Sequence, residues 1–240
     1  MTKLIRSKDR KVTNAVTPNG KQASIANTFG LPSGKAYSCP GATSVCETIC
    51  YAGKLEKVFK GVRINLEHNW DLVKDADYIT MYNLIHEMIG EFSAECEKRG
   101  AEKFFRIHWD GDFFSEDYTL AWRDVICDFP DVQFWAYTRS DFAVPILIDI
   151  PNLGFYFSTD EANKELAISL KENTGIKLAY LAQTFALGKA DILEITGKSA
   201  VPCPENNKKL PMISEKGSAC VTCGQCIFQR NDILFSASKK

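Results

Sequence analysis

The sequence predicts an α/β protein on parallel strands: a partial (β/α) barrel carrying a small cysteine-rich, metal-binding appendage at its C-terminal end. Two observations predict it. From residue 77 onward helical and strand patterns alternate, an order that implies parallel strands joined by crossover helices. Seven of the nine cysteines fall in two clusters, Cys39, Cys46 and Cys50 near the start and Cys203, Cys220, Cys223 and Cys226 near the end. An open doubly wound sheet fits the same alternation, and either architecture places function at the C-terminal ends of the strands.

Taken in order, residues 23–31 are a candidate first strand, followed by a Gly/Pro/Cys-rich loop to Gly53 and a helix over 61–73. Residues 77–98 carry a helical stripe (Ile79, Tyr82, Ile85, Met88, Ile89, Phe92) that Arg99 and Gly100 stop. A strand follows over 103–109. Ser115 caps a helix to about 129, with Glu116 and Asp117 at its positive end and Pro130 beyond it. Then come a strand at 132–138, a short helical passage to 150, a strand at 153–158, a helix at 161–171 and a strand at 176–182. Past Gly188 the pattern weakens; 192–195 reads as a possible last strand. From Pro202 the chain reads as coil, which divides it into an α/β domain over 1–200 and a metal-organised tail over 201–240.

Composition bounds the partners. The 240 residues are 45% hydrophobic and 25% charged, ordinary for a globular chain, and 29 basic against 30 acidic residues leave a net charge of −1, so no global field draws it to nucleic acid. Lys3, Arg6, Lys8, Arg10 and Lys11 form a basic start, and Lys239 and Lys240 a smaller basic end; both read as solvated termini. The apolar stretch 142–150 is broken by Pro145 and Asp149 and falls far short of the roughly 18 residues of a membrane span. No apolar segment follows the basic start, so the expectation is a cytoplasmic protein without a membrane partner. In that reducing compartment clustered thiols point to metal or redox chemistry rather than disulfides.

Cys39, Cys46 and Cys50 leave one position of a four-coordinate shell free. An iron–sulfur cluster (4Fe-4S) on three cysteines, zinc with a fourth ligand such as His68 or His86, and a loop without metal are all open readings. Cys203, Cys220, Cys223 and Cys226 supply a complete shell for zinc or a second iron–sulfur cluster, with Gly217 and Gly224 suited to the turns around it. Cys96 and Cys127 fall on predicted helices and read as buried and inert.

The segment Arg106-Ile-His-Trp-Asp-Gly-Asp-Phe-Phe-Ser115 runs off a predicted strand end into a helix cap. Alternation sends Arg106, His108 and Asp110 to one face. Gly111 and Asp112 then read as ligand contacts, one by close backbone approach and the other as an acceptor, unless the whole is a self-satisfied buried network. Tyr137 and Arg139 end the next strand, Ser158, Thr159 and Asp160 the one after, and Gln183 and Thr184 the last.

These motifs, Cys-Pro with Cys-x3-Cys-Tyr-Ala at 39–52, Gly-Asp-Phe-Phe-Ser at 111–115, Tyr-Thr-Arg-Ser at 137–140 and the terminal Cys-x2-Cys-x2-Cys, resemble the bacteriophage gene product 88 family over roughly residues 20–230. That resemblance implies a phage or prophage origin, host-cytoplasmic location and, by analogy, a nucleotide or nucleic-acid substrate. A looser resemblance is to radical S-adenosylmethionine enzymes, although their cysteine spacing is three then two residues and here it is six then three. It implies Cys39, Cys46 and Cys50 as cluster ligands, with Gly111, Asp112 and Ser158 as S-adenosylmethionine contacts. His108, Asp110, Asp112, Tyr137 and Arg139 would line a substrate mouth, and an external electron donor would be needed. Two alternatives stand beside it. One is a zinc-dependent base-exchange enzyme resembling the tRNA-guanine transglycosylases, with Asp110 or Asp112 as nucleophile. The other is a zinc-stabilised phage binding protein without catalysis.

Overall fold

The computed structural model of the chain describes residues 3–12, 25–214 and 217–238. Three helices, α1 (Ser44–Ile49), α2 (Tyr51–Val58) and α3 (Lys60–Val73), follow the start of the cysteine loop. Helix α4 (Tyr78–Arg99) begins where the Asp77 side chain accepts from the Thr80 N–H and ends at Gly100, which takes the left-handed φ of 60°. The alternation predicted beyond it is present as β1 (Phe104–Ile107), α5 (Glu116–Asp128), β2 (Gln133–Thr138), α6 (Ala143–Leu147), β3 (Leu153–Thr159), α7 (Lys164–Thr174) and β4 (Lys177–Ala182). Helix α8 (Phe185–Thr196) and the short β5 (Val201–Pro202) come next. The chain closes with a hairpin of β6 (Ile213–Ser214) and β7 (Gly217–Ser218), then α9 (Ala219–Cys223) and β8 (Ile233–Ser236).

Six strands form one parallel sheet in the order β1-β2-β3-β4-β8-β5. The first four neighbours follow chain order, so right-handed crossovers carry the helices to one face, as in a barrel wall and unlike a doubly wound sheet. On that face Phe105, Ile107, Phe134, Ala136, Phe155, Phe157, Leu178, Tyr180 and Leu234 join the helices in one core. No pairing links β1 to β5 among the described residues, so the expected partial barrel is present as a parallel, singly wound wall without closure.

Residues 25–31 run along the free edge of β1, the place expected of a first strand. The Asn27 carbonyl accepts from Arg106 N–H at 3.0 Å, and the Trp109 and Leu31 N–H groups bond Phe29 O and Asp110 O at 2.9 and 3.0 Å. The regular ladder is nevertheless reduced to a single bridge between Thr28 and Arg106, and Ser7 bridges Thr28 on its other side. Residues 23 and 24 of that expected strand lie outside the described residues, as do Lys239 and Lys240.

The strand expected at 192–195 is instead the second half of α8. Thr184 caps it and Gly197 ends it at φ 65°. Gly188, beyond which the pattern weakens, lies inside α8 as a contact point: a Cβ there would stand 2.3 Å from Leu234 Cδ1 and 2.8 Å from Ala182 Cβ. Two strands of the sheet, β5 and β8, come from the segment 201–240 that the sequence set apart as a tail.

The other sheet face carries Trp135, Tyr137, Tyr156, Ala179, Ile233 and Phe235, and on it lie Val12, Ile227 and the cysteines Cys203, Cys220 and Cys226. Gly154 on β3 makes this possible, since a Cβ there would meet Cys226 O at 2.4 Å and Ile227 O at 2.6 Å. Gly154→Val is therefore expected to lift this segment, at a cost of about 1–3 kcal/mol by overpacking. Thermal unfolding together with thiol labelling of Cys226 checks it; a variant as stable and as unreactive as the parent chain would refute the contact. Among the described residues no helix is long and apolar enough to cross a membrane.

Candidate functional site

The loop that bears Cys39, Cys46 and Cys50 is clamped across the C-terminal ends of β1, β2 and β3. Gly41 passes so close to β2 that a Cβ would stand 2.0 Å from Arg139 O. Thr43 caps α1 by accepting from Cys46 N–H at 3.0 Å, and its hydroxyl donates to Asp160 Oδ2 at 2.6 Å. The same carboxylate takes the Arg139 guanidinium at 2.8 Å. Cys50 Sγ caps α2, accepting from Gly53 N–H at 3.3 Å. Tyr51, next in sequence, donates to Trp109 O at 3.0 Å and accepts from Arg106 Nη2 at 3.1 Å. Burial pushes the Cys39 thiol up, with Asp112 adding to it; Cys46 is raised by burial too, against the pull of Arg139.

At the end of β1 the structure departs from simple alternation. His108 has a positive φ of 55°, so its ring turns to the helical side. There Nε2 meets the Tyr118 hydroxyl at 2.8 Å among Phe29, Phe113 and Trp122. Burial, helped by Arg106, lowers its pKa to about 3, and it lines no mouth. Arg106 alone keeps to the open face, paired with Asp9 at 2.7 Å and 5.8 Å above the Tyr137 ring.

Asp112 is not a free acceptor. Its Oδ1 takes the Phe113 N–H and Thr138 Oγ1, and its Oδ2 the Arg139 N–H, all at 2.7 Å. It ties the end of β1 to that of β2, and burial outweighs those bonds to raise its pKa to about 6. Gly111, at φ 83°, approaches Ser38 and Leu31; a Cβ would lie 2.5 Å from Ser38 Oγ.

Asp110 is the unusual group. Its Oδ1 accepts from Gly111 N–H at 3.0 Å, while its buried Oδ2 has no donor. The carboxyl beside it is Glu56 on α2, itself bonded by Ser33 N–H at 3.0 Å. Burial first, then the Glu56 charge and hydrogen bond, raises Asp110 to about 8. A proton on Asp110 supplies the missing donor, and the two acids then share one hydrogen bond.

Arg139 is buried in the ion pair with Asp160 rather than turned to a mouth. Ser158 shares the open face with Tyr156 by alternation along β3. Two of the polar strand-end residues are caps, Asp160 for the turn before α7 and Thr184 for α8, and Ser115 caps α5 as expected. The sequence missed Glu56, Thr43 and Asp9. Thr43 carried the ordinary signal of a capping hydroxyl three residues before an amide it bonds; Glu56 and Asp9 carried none, since their partners are distant in the chain.

The terminal cysteines sit against aromatic residues of the open face. Tyr137 hydrogen-bonds the Cys226 sulfur, and Cys203 accepts from the Glu205 and Asn206 N–H groups. Burial pushes the Cys226 thiol up to about 12, with Cys203 and Cys223 close enough to add to the rise. Gly217 and Gly224 turn at φ 113° and 65°, as their expected place in tight turns requires.

The gene product 88 family description matches residues 2–229. The chain belongs to the gene product 88 family. It is 52% identical over 245 residues to the gene 88 protein of Mycobacterium phage L5, and 51% identical over 246 residues to that of Mycobacterium phage D29. Both alignments cover 100% of each chain. No solved structure matches.

In this gene product 88 chain the donor chemistry suits a metal, since all nine cysteines are free and two of those in the tail, Cys203 and Cys226, receive N–H and O–H bonds of the kind that stabilise thiolates. The geometry is another matter: among the described residues no three His, Cys, Asp or Glu side chains form a group that could hold a metal ion. His68, bonded to Lys3 O at 2.9 Å, and His86, packed 4.9 Å from the Phe129 ring, are committed elsewhere and complete neither cysteine set. Cys96 is buried as expected, but Cys127 is exposed, at the last turn of α5 where the helix leaves the core.

Proposed function

We propose that the chain is a metal–thiolate enzyme of radical S-adenosylmethionine type, working at the strand ends beneath the Cys39, Cys46 and Cys50 loop. One observation carries this reading. The loop follows the segment paired to β1 in a singly wound parallel sheet, so its three thiols lie over the strand ends where such a sheet concentrates chemistry. A bound 4Fe-4S cluster would supply one-electron chemistry, drawing on an external donor. The chain's own residues have definable tasks. Arg139, Asp160 and Thr43 hold the loop down, Asp110 with Glu56 stores a proton beside it, and Arg106 places a positive charge between Tyr51 and the tail cysteines.

A specific observation favours a second reading: Asp112, which would hold the methionine amino group, spends its acceptors within the chain. A non-catalytic phage binding protein stiffened by zinc at the tail cysteines needs no free Asp112. The base-exchange alternative gains no support, because Asp112 spends its acceptors within the chain and burial beside Glu56 raises Asp110, which disfavours the carboxylate form a nucleophile needs.

Anaerobic purification of the full chain followed by iron, sulfide and zinc analysis separates the readings. Expected are iron and sulfide that Cys→Ser at 39, 46 or 50 removes and Cys→Ser at 96 or 127 does not, with 5′-deoxyadenosine formed from S-adenosylmethionine and dithionite. Zinc alone, lost on replacing Cys220 and Cys223, would establish the second reading in its place.

A further inference from the structure

Helix α2 is amphipathic in the wrong sense. Its inner side holds Ala52 and the acid Glu56, while Tyr51, Leu55 and Val58 face solvent, with Tyr51 55% and Val58 70% exposed. Phe59, between α2 and α3, is 54% exposed. Among these lie Lys54, Lys57 and Lys60, all exposed and, among the described residues, without a carboxylate partner. Glu56, the one acid of α2, is turned inward to Ser33 and Asp110, so its charge is withdrawn from this face.

From this we infer that the α2–α3 corner binds single-stranded nucleic acid. Three free lysines suit a chain of phosphates, and two exposed aromatic rings suit stacked bases. The Tyr51 hydroxyl is fixed to Trp109 and Arg106, which leaves its ring presented without freedom to collapse. A protein partner fits less well, because lysine is depleted from the cores of protein interfaces. A membrane fits less well, because an eight-residue helix is short for an interfacial anchor. The binding stands on this face alone; that the strand is a substrate rests on the proposed function, since the face adjoins Cys50.

Fluorescence anisotropy of the full chain with labelled 20-residue oligo-dT and oligo-rU, against a duplex of equal length and against phosphatidylserine vesicles, tests the inference. Expected is binding to a single strand that weakens with salt, falling about tenfold in Lys54→Glu/Lys57→Glu and losing part of its strength in Phe59→Ala at an unchanged salt slope. Unchanged affinity in the charge-reversed chain, equal binding of the duplex, or binding of vesicles but not of oligonucleotides would overturn it. Iron and zinc content of the lysine variant should equal that of the parent chain. Failure of the parent chain to bind the oligonucleotides thus counts against this face only, and failure of the parent chain to hold iron and sulfide at Cys39, Cys46 and Cys50 against the proposed function only.

Discussion

Asp160→Ala is expected to lower the unfolding free energy by about 3–5 kcal/mol, the cost of leaving one member of a buried ion pair alone. Asp160 is 0% and Arg139 8% exposed at the side chain, so water cannot take over the lost partner. The carboxylate also receives Thr43 Oγ1 at 2.6 Å and the Ala162 N–H at 2.9 Å, and its removal frees both the loop and the turn before α7. Urea unfolding checks the magnitude. Arg139→Met combined with Asp160→Ala should recover part of the loss, because the stranded charge is then gone. A single-variant loss under about 1 kcal/mol, the range of exposed pairs, would mean that Arg139 reaches solvent.

Much of the scaffold was legible because each signal was local. Ser115 caps the helix it was expected to cap, α4 starts beside Asp77 where the helical stripe begins, Gly100 ends it, and the three βα units appear where hydrophobic period changes from helical to alternating. What was not legible depends on partners far along the chain. Strand β8 is four residues long, follows a cysteine-rich stretch and takes its place only by pairing with β4 and β5. Gly188 marks only a weakening pattern until Leu234 and Ala182 are placed against it. At the site, alternation correctly put Arg106 on the open face but failed two residues later, where the positive φ of His108 turns the ring into the core. The type of Asp112 was informative, whereas its role depended on amides at 113 and 139 that only the fold brings to it.

Between pH 6.5 and 8 the protein is expected to lose roughly 2 kcal/mol of stability, about 1.4 kcal/mol for each unit. The native Asp110 carboxyl keeps its proton up to about 8, while the unfolded one ionises near 3.8. The unfolded chain thus binds fewer protons through this window, and stability falls as pH rises, levelling once the native group has ionised. Below the window other groups interfere. Asp112, raised to about 6, adds a fall of the same sign, whereas His108, lowered to about 3 from 6.5, makes stability rise with pH until the unfolded imidazole is neutral. Above pH 6.5 what remains of the two is small and opposite in sign, roughly 0.4 kcal/mol of gain for His108 and less of a fall for Asp112, which leaves Asp110 dominant, facing Glu56 from α2 and Arg106 from β1, with Cys39 close by. Urea midpoints at half-unit steps from pH 6.5 to 8 measure the slope in the parent chain and in Asp110→Asn, whose amide can donate to Glu56 at every pH. The variant should be nearly flat where the parent falls; parallel curves would show that Asp110 is already ionised in the folded protein and that the two acids share no proton.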